Sequence, residues 1–230
     1  MSISSDPIAA SDIVLGVPVV DLSASSDAYR VLLGEPVETG VWLVGNGRVE
    51  LLPGDADQAV DFTVADLSES IRLLGRRGLT SVYRDDSSYA FEHVAPIGVA
   101  SRGGSGHGPR IDHVVMYHHD VDAAVALYAG RLGLDFRLDR TIAEGVAQLF
   151  FRTSTVIVEV VAGPSMADRD RFGGLAWLID DIDDERARLA DAGLDVSEVR
   201  VGRKPGTRVC TVRDRALGTP TLLIEQTPRS

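Results

Sequence analysis

Cysteine is almost absent from this chain of 230 residues. Cys210 stands alone, so the chain can form no internal disulfide and no cysteine-rich zinc site. Long apolar runs are missing too: none approaches the roughly 20 residues that cross a bilayer. Positive charge is scarce, with 23 Lys and Arg against 34 Asp and Glu and a formal net charge of -11. That balance argues against a nucleic-acid surface, which rests on clustered cations. There is no Walker loop, dinucleotide fingerprint or Gly-x-Ser-x-Gly elbow. The opening MSISSDPIAASD has no basic stretch followed by an apolar core and predicts no secretion signal. The expectation is a cytoplasmic protein with a small-molecule ligand or substrate, no nucleic acid and no membrane.

What is present is a repeated punctuation. An apolar strand, an acidic helix cap, a short helix and a glycine recur four times, with Asp21, Asp66, Asp120 and Asp181 at the caps. The spacing of about 45 to 60 residues marks internal repeats. Arg110 to Arg140, RIDHVVMYHHDVDAAVALYAGRLGLDFRLDR, is the clearest copy. Each unit runs on into further strands, among them a hairpin of Val41 to Val44 and Val49 to Leu52 around Gly45-Asn46-Gly47. This predicts an α+β fold of four βαβββ modules in two pairs. The Gly/Ser-rich stretch SRGGSGHGP separates the pairs, giving a first half at 1–102, a linker at 103–109 and a second half at 110–230.

Four segments, IDHVVMYHHDVDAAVALYAGRLGLDF, TVIVEVVAG, FGGLAWLIDDIDDERARLADAGLDV and TPTLLIEQ, resemble the vicinal oxygen chelate superfamily. That group includes glyoxalase I, methylmalonyl-CoA epimerase, extradiol dioxygenases and bleomycin-type resistance proteins. The first half is similar more faintly, through GNGRVELLPG and VDFTVADLSESIRLLGRRGL. The resemblance implies paired modules curling into an open cup, with metal ligands on the first and last strands of each. His113, Glu159 and Glu225 match three such positions, while Gly174 stands where the family usually has histidine. Such a set implies a divalent metal ion (Zn, Ni, Co, Mn or Fe).

The residues make local sense beside the resemblance. Strand alternation sends Ile157, Glu159 and Val161 to one face, where a carboxylate among apolar residues needs a partner. His113 reads either as a ligand or as a hydrogen-bonded structural residue, and Glu225, near a strand end, as a ligand or as a solvated group. His118 and His119 read as a solvated pair at a turn. His107 lies in the linker, and His93 has no matching partner. In the first half Glu50 matches Glu159, but Val14 or Ile13 stands at the His113 place and Ala59 near the Gly174 place. That half is expected to be structural, or a dry pocket.

Tyr117, Phe150 and Trp177 are candidate ligand contacts. Arg203, Lys204 and Arg208, in a loop between strands, read as a clamp for a carboxylate or phosphate or as a solvated turn. Two functions follow. One is a metal-dependent lyase or isomerase acting on a small carbonyl or enolisable substrate, with Glu225 or Glu159 moving a proton. The other is a metal-free binding or resistance protein of the same fold. Monomer and homodimer are both open.

Overall fold

The computed structural model describes residues 6–94, 96–101, 106–166 and 170–227. In it each predicted cap is formed. The carboxylates of Asp21, Asp66 and Asp120 accept the backbone N–H three residues on, and Asp181 accepts those of Asp183 and Asp184. Each capped helix follows a strand, and the strands then return beside it.

The first module comprises β1 (Ile13–Val19), α1 (Leu22–Leu33), β2 (Val41–Val44) and β3 (Gly47–Pro53). The second comprises β4 (Ala59–Thr63), α2 (Leu67–Arg76), β5 (Ser81–Asp85), β6 (Ser88–Phe91) and β7 (Ile97–Ala100). The third begins with β8 (Arg110–His118) and α3 (Val121–Val125), which runs on as a π-helical turn, Ala126–Arg131. It continues with β9 (Asp135–Ala143), β10 (Val146–Arg152) and β11 (Ile157–Ala162). The fourth is β12 (Arg171–Leu178), α4 (Ile182–Asp191), β13 (Arg200–Val201), β14 (Thr207–Val212) and β15 (Thr221–Gln226).

Modules pair through their first strands, β1 with β4 and β8 with β12, both antiparallel. The results are two open mixed sheets of seven and eight strands. The architecture is α+β, four modules in two pairs. The first module has two strands after its helix where the others have three, which is why its sheet is one strand short. Residues 103–105 of the expected linker lie outside the described residues. Among the described residues no helix is long and apolar enough to cross a membrane.

Helices cover one face of each sheet, and the inward side chains form a core that includes Trp42, Phe62, Phe151 and Trp177. Polar ties bind the halves. Asn46, in the predicted hairpin turn, is buried and works as more than a turn residue: it accepts the Ile111 N–H at 2.7 Å and donates to the Ile111 and Thr155 carbonyls. The Tyr29 hydroxyl donates to the Leu217 carbonyl, and Thr155 donates to Asp12 at 2.7 Å.

Candidate functional site

Alternation along β8 divides its side chains cleanly. Ile111, Val114 and Met116 are buried in the core, while His113, Val115 and Tyr117 stand half-exposed on the face away from the helices. On that face Glu159 of β11 pairs with Val115, and Phe150 of β10 pairs with Glu159. The register of β8 against β12 shifts between Ile111 and His113, leaving Asp112 as the extra residue of a bulge. In a regular strand Asp112 and His113 would face opposite ways; the bulge brings both carboxylate and imidazole to one side.

A chain of polar groups results. Lys204 Nζ donates to Gln226 Oε1 at 3.0 Å, and Gln226 Nε2 donates to Asp112 Oδ1 at 2.6 Å. Asp112 Oδ2 lies 2.8 Å from His113 Nδ1. His113 Nε2 faces Glu159 Oε2 at 4.0 Å, and Gln148 Nε2 donates to Glu159 Oε1 at 2.6 Å. An imidazole held by a carboxylate at one nitrogen and facing a second carboxylate at the other is built to take and return a proton. Arg171 lies over the Tyr117 ring at 4.1 Å and Arg140 over the Phe150 ring at 5.8 Å.

Several expected members are elsewhere. Glu225 shares the face of buried Leu223, since β15 sends Leu222, Ile224 and Gln226 to the other side. Its Oε2 accepts the Ile182 N–H at the start of α4 at 3.0 Å and lies 3.7 Å from Arg208. It is therefore neither a metal ligand nor a proton carrier for His113, but a helix-capping group. Trp177, only 1% exposed, packs in the core beside Ile111 and Leu223, away from the open face. Arg208 pairs with Asp183 and Glu225 on the helix side. Arg203 is exposed, and Lys204 alone of the three cations joins the polar chain. Tyr117 and Phe150 do lie on the open face. His118 is not a solvated turn residue: it is 4% exposed, with Nδ1 accepting the Asp120 N–H.

Register also identifies the four places where the family resemblance implies ligands. Val115 pairs with Glu159 on one side and Gly174 on the other, and Leu222 pairs with Ala176, two residues beyond Gly174. By the symmetry of the modules the counterpart of Glu159 is thus Leu222, and that of His113 is Gly174. Gly174 holds φ +138°, where an added Cβ would lie 2.6 Å from the Pro220 carbonyl oxygen. Histidine cannot replace it without moving the backbone. With Gly174 and Leu222 at the other two places, His113 and Glu159 make only half of the four-ligand set that the resemblance implied, and that set does not fit here. In place of ligands the fourth module presents an apolar floor of Ala176, Val209 and Ile224, with Leu178 and Leu222 against it.

Glu225→Ala should remove a helix-start acceptor and leave Arg208 with Asp183 alone. We expect a loss of about 1–2 kcal/mol of stability in urea denaturation, with ligand binding at the open face unchanged. Parent-like stability would mean the carboxylate does not hold α4.

The first half repeats the geometry with other chemistry. Gly16 pairs with Glu50 and Ala59, as Val115 does with Glu159 and Gly174. Val14, at the place of His113, pairs with Arg48 and Asp61. Arg48 bonds Glu50, and Arg84 bonds Asp61 at 2.6 Å. Both of these cations are matched to acids. Burial outweighs the Arg84 charge and pushes the Asp61 carboxyl up to about 6 from 3.8. A folded-state value above the unfolded one means the native protein holds this proton longer. Stability should therefore fall as pH rises from about 4 to 6, by on the order of 3 kcal/mol from this group. Comparing the pH slopes of the parent and Asp61→Asn in urea denaturation tests this; equal slopes would refute it. Burial likewise pushes the Cys210 thiol up to about 11, so it packs as a small apolar group and is no nucleophile at neutral pH.

Paired βαβββ modules building open mixed sheets define the fold class. Residues 112–211 match the family model of the Glyoxalase/Bleomycin resistance protein/Dioxygenase superfamily. The second half is thus similar to that superfamily over these residues, and the chain as a whole has a fold of four paired modules. A variant of 4-hydroxymandelate synthase from Streptomyces coelicolor is 13% identical, aligns over 98% of this chain and 94% of its own, and superposes with a TM-score of 0.70. Methylmalonyl-CoA epimerase from Mycobacterium tuberculosis is 20% identical over 51% of this chain and 88% of its own, with a TM-score of 0.43. No curated protein matches the chain.

Proposed function

We propose that the second half binds a small organic acid against its open sheet face and moves a proton on it without a metal, the chemistry of an isomerase or lyase. The observation that carries this reading is the Asp112–His113 pair at 2.8 Å, with the far imidazole nitrogen turned to Glu159. Asp112 holds the proton of His113 at Nδ1, so Nε2 is left as the base. A C–H beside the ligand's carbonyl gives its proton to Nε2, and the same nitrogen returns it to the neighbouring atom. The imidazolium that forms in between lies between two carboxylates, Asp112 and Glu159, each steadied by a glutamine. Arg140, Arg171 and Lys204 stand ready for the ligand's carboxylate. The first half, 1–102, serves as the structural partner, with Arg48 paired to Glu50 and Arg84 to Asp61.

The apolar floor of Ala176, Val209 and Ile224 favours a second reading, sequestration of an apolar ligand without chemistry. One experiment separates the two. Small enolisable carboxylic acids are incubated with the protein in D2O and a chelator, and NMR follows the α-proton signal. Exchange that disappears in His113→Ala supports the proton-transfer reading. Thermal stabilisation without exchange supports sequestration. Exchange that survives in His113→Ala would exclude His113 as the base.

A further inference from the structure

A cavity of about 320 Å³ lies between the halves, away from the polar chain of the open face. Leu79, Glu92 and His93 line it from the first half, and His118, His119 and Asp170 from the second. We propose that His119 and Asp170, with His118 holding Asp170 in place, bind one divalent transition-metal ion.

The three residues cluster tightly: an atom of each that is able to ligate lies within 4.8 Å of the others. The Asp170 side chain is 8% exposed, and among the described residues no donor hydrogen-bonds its Oδ1. An acceptor buried in that state is costly unless something cationic meets it. Oδ1 and His119 Nδ1 stand 3.6 Å apart. That is the spacing of two donors each about 2.1 Å from a shared ion. Imidazole with carboxylate suits zinc, nickel or cobalt better than calcium or magnesium, which prefer all-oxygen shells.

His118 has a different part. Its Nδ1 accepts the Asp120 N–H, so its proton resides on Nε2, 3.3 Å from Asp170 Oδ2. A neutral imidazole cannot accept a hydrogen bond at one nitrogen, carry a proton at the other and ligate as well. His118 is thus a positioning residue that holds Asp170 with Oδ1 turned free, and its ring stacks on that of His119 at 4.7 Å. His93, at φ 62°, lines this cavity and a neighbouring one that also borders Asp170. It is a further histidine on the first-half side of this cavity.

The test uses the full chain titrated with Co²⁺, read by visible absorption and calorimetry, with Zn²⁺ as competitor. We expect one equivalent to bind. Asp170→Asn and His119→Ala should each weaken binding at least about 100-fold, and His118→Gln, which keeps a donor, by about 10-fold. His119 is largely exposed, so His119→Ala keeps the test valid should Asp170→Asn fail to fold. The double variant His113→Ala, Glu159→Gln should bind Co²⁺ as the parent does. No uptake, or uptake unchanged by Asp170→Asn and His119→Ala, would overturn the site. Uptake lost only in the double variant would overturn it as well and would return a metal to the open face, against the proton-transfer reading. Loss of proton exchange with Co²⁺ uptake intact would leave this site standing.

Discussion

Trp177→Ala should cost about 3–5 kcal/mol of stability, the usual range for deleting a fully buried large aromatic side chain. The indole sits at 1% exposure in the joint core, opposite Ile111 on β8 and Leu223 on β15. Its removal leaves a cavity between the strands that join the third and fourth modules, which the surrounding strands can close only in part. Phe150→Ala is the matched control, because Phe150 is half-buried on the open face beneath Arg140. It should lose at most about 1 kcal/mol and weaken ligand binding instead. Urea denaturation and ligand titration of both variants check this. A Trp177→Ala protein that keeps parent stability and loses its ligand would place the indole in the site.

The second large effect concerns the polar chain. His113→Ala should lower proton exchange by a factor on the order of 10²–10⁴, the contribution typical of a positioned general base. Asp112→Asn should be nearly as severe, for a specific reason. An asparagine can offer its NH₂ to Nδ1, which then accepts and drives the ring proton to Nε2, the nitrogen that must be free. Asp112→Ala leaves the tautomer undirected and should be milder than Asp112→Asn. Melting temperatures should change little in all three, since both side chains are on the open face. Exchange rates by NMR, with melting curves alongside, decide the matter. Equal activity in Asp112→Asn and the parent would mean that Asp112 does not set the tautomer.

These expectations rest on features with very different visibility in the sequence. The four capped strand–helix units were legible because a cap needs only an Asp and the two or three N–H groups just ahead of it, all local. The pairing of Glu50 with Glu159 and of Ala59 with Gly174 was legible for a related reason: the modules repeat, so offsets within them are preserved. For Glu225 strand alternation is what decides the face. Leu222 and Glu225 are three residues apart, an odd number, and therefore lie on opposite faces. Trp177 lies in the unbroken apolar run Leu175 to Ile179, where no alternation marks a face.

Local sequence, then, determined the secondary structure, the fourfold repeat and the two-sheet α+β architecture, because caps and periodic apolar residues act over a few neighbours. It also marked His113 and Glu159 as polar groups on apolar strands. Only the tertiary structure decided what these groups can do. The bulge that turns Asp112 toward His113 arises from the register of β8 against β12, strands whose paired residues lie more than fifty positions apart. His118 and Asp170 meet across a similar separation, and Asn46 finds Ile111 from another module altogether. Such contacts depend on how strands pair and where they slip, and pairing is the sum of many weak side-chain preferences that no short stretch of chain contains.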